Sequence, residues 1–380
     1  MESAGTSAES SEKAAQELFA QGVSAFEAGR YDEAKDLFGR TLEAAPRWVG
    51  AQYNLGLIAE RQADLAGAEA AYKAALGLDS SHQPSLLNLG RLYRLRGDLD
   101  SAAMLYEKAL AEPNKQDDAE LLNNLTAVYR LAKKFTKAEA TARKVLSRSR
   151  DNLDALKNLA MIYYDQGHYR LAEAVSSNAR KVDDKDPGVH NNLGLIYLKL
   201  GEPQRALAQF KQAVSLDAKF VLGHLNWGAV ALNYRDYQTA QREFAEAAVL
   251  EPLSYQAHLY LAYALDGQKS RDSRKGMDAG VEFEKVLAIR PDHRDAICGA
   301  GWAYAVDRAG WDKASAYLRQ CRDRGAASDP ERNQIDAKLK AITTSGETAS
   351  TVAHTEPNAT PRPVDSSAEA KEDASESRKQ

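Results

Sequence analysis

Six asparagines recur along the chain at 34- or 36-residue spacing: Asn54, Asn88, Asn124, Asn158, Asn192 and Asn226. A carboxamide offers both a hydrogen-bond donor and an acceptor, which complements a peptide unit without reading its side chain. If each residue sits at the same place on successive packed helices, the amides lie about 8–10 Å apart. An extended peptide advances about 3.3 Å per residue, so one amide could hold every third residue of its backbone. The same column could instead bond between helices, and the residue types alone leave both readings open.

A second column is His190, His224 and His258. Histidine is a frequent metal ligand, but zinc bonds are about 2 Å long, and three side chains strung along a line cannot meet at one ion. They replace a large core residue, so packing is the expected role and no metal site is expected. A third feature is the basic run Arg130, Lys133, Lys134, Lys137, Arg143, Lys144, Arg148 and Arg150, with Glu139 the one acid inside it. Arg130, Lys133, Lys134 and Lys137 are candidates for docking an acidic protein partner. Nucleic acid is the rival, and the run holds a single aromatic, Phe135, whereas single strands need stacking platforms.

Enzyme chemistry finds no foothold. There is no phosphate loop, no Gly-x-Ser-x-Gly elbow and no paired His/Glu metal motif. Asp183, Asp184 and Asp186 fall in a turn, where they cap helices or face water. Cys298 and Cys321 are expected to pack as small apolar groups. Neither a catalytic residue nor a cofactor is expected.

The elements that must carry these columns are short amphipathic helices in pairs. Asn192-Leu-Gly-Leu-Ile-Tyr-Leu-Lys-Leu-Gly201 followed by Arg205-Ala-Leu-Ala-Gln-Phe210 is spelled again, with variations, 34 residues upstream and 34 downstream. A fixed period of this length is the signature of a repeat solenoid. Nine units cover residues 15–328, starting at Ala15, Val49, Gln83, Ala119, Leu153, Pro187, Val221, Tyr255 and Arg294. Position 8 is small, as in Gly56, Gly90, Gly194 and Gly228, so that the paired helices can approach closely. Position 20 is alanine in all nine, and position 24 is large in seven, being Ala142 and Ser176 in units four and five. Those two exceptions predict a soft joint in the middle of the array, since a lost buried aromatic costs about 3–5 kcal/mol.

These columns resemble the tetratricopeptide repeat over about four-fifths of the chain. The resemblance implies an all-α, right-handed α-solenoid superhelix of about nine helix-turn-helix repeats, with first helices lining the inside. It implies a non-catalytic scaffold that binds an extended peptide or partner segment within a multiprotein complex. The asparagine column is similar to the amide ladder in the repeat domain of O-linked N-acetylglucosamine transferase. A glycosyltransferase-like protein lacking its catalytic domain is therefore an alternative, as is a basic-face nucleic-acid binder. The alanine-rich, mixed-charge repeats look bacterial and are loosely similar to tetratricopeptide subunits of envelope machines, including gliding-motility lipoproteins.

Outside the repeats, residues 1–14 read as a disordered polar leader and 329–342 as a capping helix with Ile335, Leu339 and Ile342 on one stripe. Residues 343–380 are Ser, Thr, Pro, Ala and Glu with little apolar mass, and are expected to be disordered. The net charge of −4 exerts no general pull on nucleic acid or anionic membrane. No apolar stretch of about 18 residues is present to span a membrane. The leader lacks the basic and apolar regions of a signal peptide. The chain as it stands reads as cytoplasmic, with periplasm or outer membrane as the alternative if a lipoprotein signal precedes it.

Overall fold

In the computed structural model of the chain, residues 2–325 and 331–344 are described, with side chains from Ser11 onward. The described residues form 19 α-helices and no strand, in nine consecutive pairs plus one terminal helix. They divide into two compact units at Val175/Ser176. The first holds α1 (Glu2–Glu27), α2 (Tyr31–Ala44), α3 (Val49–Arg61), α4 (Leu65–Leu78), α5 (Gln83–Leu95), α6 (Leu99–Leu110), α7 (Ala119–Leu131), α8 (Phe135–Arg148) and α9 (Leu153–Asp165). The boundary falls inside α10 (Tyr169–Val182). The second unit continues with α11 (Pro187–Lys199), α12 (Pro203–Leu216), α13 (Val221–Asn233), α14 (Tyr237–Leu250), α15 (Tyr255–Asp266), α16 (Ser273–Ile289), α17 (Arg294–Tyr304), α18 (Trp311–Arg324) and α19 (Glu331–Thr344).

Each pair is closed by one turn chemistry. Position 15 takes a left-handed backbone in seven pairs, with φ between 56° and 79° at Gly29, Ala63, Gly97, Lys133, Gly167, Gly201 and Arg235. The next N–H then reaches back to the carbonyl of position 11, as in Lys134 to Tyr129 and Glu202 to Tyr197, both 2.8 Å. This caps the last carbonyls of the first helix. Glycine fits there without strain; Ala63, Lys133 and Arg235 hold the same conformation against the steric cost of a Cβ. Second and later helices are often started by an acid, such as Asp64 accepting from the Gly67 N–H at 2.8 Å, a cap worth about 1 kcal/mol.

Packing follows the columns. All nine position-20 alanines, from Ala34 to Ala314, are 0% exposed. Phe38, Tyr72, Tyr106, Phe210, Phe244 and Phe283 at position 24 are buried too. The ring of Phe210 lies flat against Gly194, where a Cβ would stand 2.4 Å from its Cε1; Gly56 meets Tyr72 in the same way, also at 2.4 Å. Where position 24 shrinks to Ala142, position 8 grows to Thr126, which is fully buried and bonds Leu122 O through Oγ1 at 2.8 Å. In the next pair both positions are small, Ala160 and Ser176, and the buried Ser176 Oγ has no partner among the described residues. The division between the two units falls beside that serine.

Two expectations need correction. Residues 2–14 are not a disordered leader but the start of α1; Ser11 Oγ donates to Ala44 O at 2.8 Å and ties that stretch to the end of α2. The reason is that a Ser/Glu/Ala run lacking proline extends an already nucleated helix at little cost. Cys298 and Cys321 are not merely apolar fillers: they form a disulfide between α17 and α18, with Cα atoms 5.0 Å apart. Cys321 occupies position 27, a column that holds Ala75, Ala213 and Ala247 elsewhere and faces the first helix of its pair. A separation of 23 residues in sequence conceals that adjacency. α19 covers this end, burying Ile335 and Leu339 against Ile297, Leu318 and the disulfide, with Ile342 half-buried beside them. Residues 345–380, expected to be disordered, lie outside the described residues.

Gly194→Ala is expected to destabilise the fold by about 1–3 kcal/mol through overpacking against Phe210. The variant should melt earlier than wild type by circular dichroism, and an unchanged melting temperature would show that the ring has room to move. Closing a 23-residue loop is worth about 3 kcal/mol in the chain-entropy description. Thermal melts with and without dithiothreitol should therefore differ by several degrees, and free-thiol titration should find no thiol before reduction.

Candidate functional site

Successive first helices touch one another within each unit, α5 with α7 and α7 with α9 in the first, α11 with α13 and α13 with α15 in the second. Among the described residues no two successive second helices pack as closely, so each unit bends toward its first helices. Position 6 lies on these first helices, and the asparagine column is read one unit at a time.

In the first unit, Asn54, Asn88, Asn124 and Asn158 are all half-buried. Asn54 Nδ2 donates to Gly50 O at 2.7 Å and Asn124 Nδ2 to Glu120 O at 3.0 Å, each within its own helix. Asn158 Nδ2 reaches Asn123 O on the preceding first helix at 3.1 Å, and Asn88 Nδ2 reaches Tyr53 Oη at 3.2 Å. Three of these partners are backbone carbonyls, which only accept, so the orientation of those amides is fixed by chemistry. Each of the four side chains is held by one N–H, and no described residue donates to its Oδ1. In the second unit the column behaves differently. Asn226 is 1% exposed and donates to Asn191 Oδ1 at 2.7 Å, while Asn192 is half-buried.

The basic candidates do not form one patch. Arg130 is buried on α7 and pairs through Nη1 with Asp165 Oδ2 at 2.8 Å. Lys133 is exposed at the turn, Lys134 pairs with Asp100 at 2.8 Å, and Lys137 lies 5.3 Å from the Tyr129 ring centroid. Farther along α8, Arg143 pairs with Glu139 at 2.8 Å, and Lys144 and Arg148 share Asp117 at 3.3 and 2.6 Å. Arg91 and Arg94 were outside every motif considered from sequence, yet they stand three and six residues after Asn88 on α5. Arg91 is paired with Glu60, which also accepts from Tyr72 Oη at 2.7 Å. Only Arg91, at i+3, is a helical neighbour of the asparagine; Arg94, at i+6, is turned about 120° away from it.

The three histidines do not converge. Each is buried and repeats one local arrangement: Nδ1 meets position 23 of the same pair and Nε2 meets a backbone carbonyl six residues back. The partners are Gln209 and Asp184 O for His190, Glu243 and Ala218 O for His224, and Glu282 and Pro252 O for His258. Among the described residues, Cys298, Cys321 and Glu331 are the one group of metal-ligand type brought together, and its two sulfurs are joined in the disulfide. Asp186 caps α11 by accepting from the Val189 N–H at 2.7 Å, and Asp183 accepts from the Lys185 N–H at 2.8 Å. No helix among the described residues is long and apolar enough to cross a membrane.

His224 has a carboxylate and a carbonyl on its two nitrogens, and both are pure acceptors, so the ring must donate from both sides. The hydrogen bond to Glu243 raises its pKa against the opposing effect of burial, with help from Ala218 O and the charges of Glu243 and Glu246. Arg242 also holds Glu243, its Nε 2.9 Å from Oε1. An imidazole raised above its unfolded value of about 6.5 adds its full stabilisation below that pH and loses it as pH climbs through the folded value. Melting temperature should therefore fall as pH rises above about 6.5, and Glu243→Gln should flatten that slope. Equal slopes in the two proteins would mean the pair does not titrate with folding.

Two family models, each described as "Tetratricopeptide repeat", match the chain: one at residues 19–82 and 157–219, the other at 85–120. No curated protein matches. Among solved structures, the chain is similar to YrrB, a TPR protein with an unusual peptide-binding site, at 21% identity and a TM-score of 0.36. That match covers 50% of this chain and 95% of YrrB. It is also similar to MamA, at 19% identity and a TM-score of 0.37, covering 47% of this chain and 94% of MamA.

Proposed function

We propose that this chain, which is a tetratricopeptide-repeat protein, is a non-catalytic interaction scaffold whose first unit holds an extended segment of a partner protein against Asn54, Asn88, Asn124 and Asn158. One observation carries the reading. These four amides are each anchored by an N–H, with no described residue donating to Oδ1, so each of these first helices carries an amide oxygen free to accept from a partner. An acceptor row of this kind suits the N–H groups of an extended backbone, and fixed geometry lowers the ordering cost of binding. Asn226 is given a structural role, because its amide is enclosed with Asn191. The pairing of Lys134, Arg143, Lys144 and Arg148 with acids favours a protein partner over nucleic acid.

The setting we propose is a multiprotein assembly in an oxidising compartment, with the bacterial envelope as the first candidate and gliding-motility machinery one instance of it. The support is the Cys298–Cys321 disulfide, since such bonds persist outside the reducing cytosol. This favours the periplasmic alternative over the cytoplasm.

The test is to pan a phage-displayed random-peptide library on the full chain and measure recovered peptides by fluorescence anisotropy. A carboxamide hydrogen bond is worth about 1 kcal/mol net, so changing Asn88, Asn124 and Asn158 together to alanine should weaken binding by about 3 kcal/mol, roughly a hundredfold. The circular dichroism spectrum should be retained. Unaltered affinity in the folded triple variant would move the contact elsewhere, and an unfolded variant would make the amides structural.

A further inference from the structure

The C-terminal end of the second unit brings together three side chains of metal-ligand type from three successive helices. Cys298 stands on α17, Cys321 on α18 and Glu331 at the first position of α19. Both sulfurs and a carboxylate oxygen lie within 4.8 Å of one another. The carboxylate is held in place: Trp302 Nε1 donates to Oε1 at 2.9 Å, and Arg294 Nη2 stands 3.9 Å from Oε2. An ionised carboxylate has about four lone-pair positions on its two oxygens, so it can accept from Trp302 and still bind an ion. The sulfurs share an apolar cluster with Ile297, Leu318, Ile335 and Leu339, with Cys321 fully buried and Cys298 8% exposed. The Glu331 side chain is 33% exposed, which makes it the member of the group that meets water.

While the sulfurs are bonded to each other they have no thiolate to offer. A dithiol reductant changes that. It passes two electrons and two hydrogens to the Cys298–Cys321 bond, is itself oxidised to a disulfide, and leaves two thiols. A divalent cation entering beside Glu331 displaces their two protons and forms two metal–sulfur bonds and one metal–oxygen bond. Zinc–sulfur bonds are about 2.3 Å, so two sulfurs on one zinc stand about 3.8 Å apart at the tetrahedral angle. Turning about χ1 takes the two sulfurs to that separation from Cα atoms 5.0 Å apart. Thiolate ligands select zinc and other thiophilic cations over magnesium or calcium, and the indole N–H of Trp302 fixes the direction of the carboxylate as hydrogen-bond partners of metal ligands do. We propose that Cys298, Cys321 and Glu331, once the disulfide is reduced, bind one zinc ion or a cation of like softness, with water as the fourth ligand. The cation then joins α17, α18 and α19, where the disulfide joins only the first two. The terminal helix is thereby tied to the last pair when the covalent bond is gone.

The test uses the full chain, reduced with dithiothreitol and desalted under nitrogen, with Co²⁺ as a coloured probe of the zinc site. Reduced wild type should develop a thiolate-to-cobalt charge-transfer band that saturates at one equivalent, and Zn²⁺ should bleach it. The oxidised chain and a Cys298→Ser, Cys321→Ser double variant should show no band. Should the double variant fail to fold, the oxidised chain is the control, since its sequence is unchanged. Glu331→Gln can still accept from the indole N–H but lacks the carboxylate ligand. Its Co²⁺ affinity should fall at least about tenfold, since even a partner one bond farther out is worth about 10–100-fold. Zn²⁺ should raise the melting temperature of the reduced chain and leave that of the oxidised chain unchanged. A reduced chain without the band, a band in the oxidised chain or the double variant, or unaltered affinity in Glu331→Gln would each overturn the proposal. So would a reduced chain whose melting temperature zinc leaves alone.

Discussion

The fold depends on how closely the first helix of each pair can approach the second. A ring at position 24 lies on a bare backbone at position 8, and there is no spare volume between them: a methyl at Gly56 would fall 2.4 Å from Tyr72, and one at Gly90 would fall 2.1 Å from Tyr106. Interiors packed at crystal-like density tolerate such a contact in one arrangement only. In the five pairs where a ring covers a glycine the contact sets the distance between the two helices, and in all nine the buried alanine at position 20 lets the second helix seat. The left-handed turn at position 15 then returns the chain for the next pair.

This explains how a scaffold without catalytic groups can hold a partner. A row of amides binds usefully only if its members are already fixed, and here each is fixed by one hydrogen bond to a neighbouring group. The same economy appears among the charges. Glu60 is shared by Arg91 and Tyr72, and Asp165 holds Arg130. The second unit uses the polar groups of its first helices differently, on buried histidine–acceptor pairs and on the enclosed Asn191–Asn226 bond, which stabilise the repeats.

Much of the fold was legible in the sequence because a solenoid repeats its reasons. The alanine at position 20 recurs in all nine units and the large residue at position 24 in seven, and the asparagine and histidine columns are visible by the same period. What could not be read was whatever the period does not repeat. The Cys298–Cys321 bond occurs in one pair alone and joins residues 23 apart, so it looked like two unrelated small residues. The leader looked disordered because composition does not report that an adjacent helix will extend through it. At the candidate site, the asparagines were found but not which of them are enclosed, since burial of Asn226 depends on Asn191 beside it in a neighbouring pair.

The central claim is that fixed amides of the first unit contact the backbone of a bound peptide. It is tested most directly by side-chain amide NMR on the full chain labelled with ¹⁵N-asparagine, with the Asn88, Asn124 and Asn158 signals assigned by single substitution. On titration with a peptide selected from the displayed library, those three carboxamide signals should shift together and saturate at the Kd found by anisotropy, while the enclosed Asn226 signal stays in place. Saturation of binding with the three signals unmoved would contradict the account.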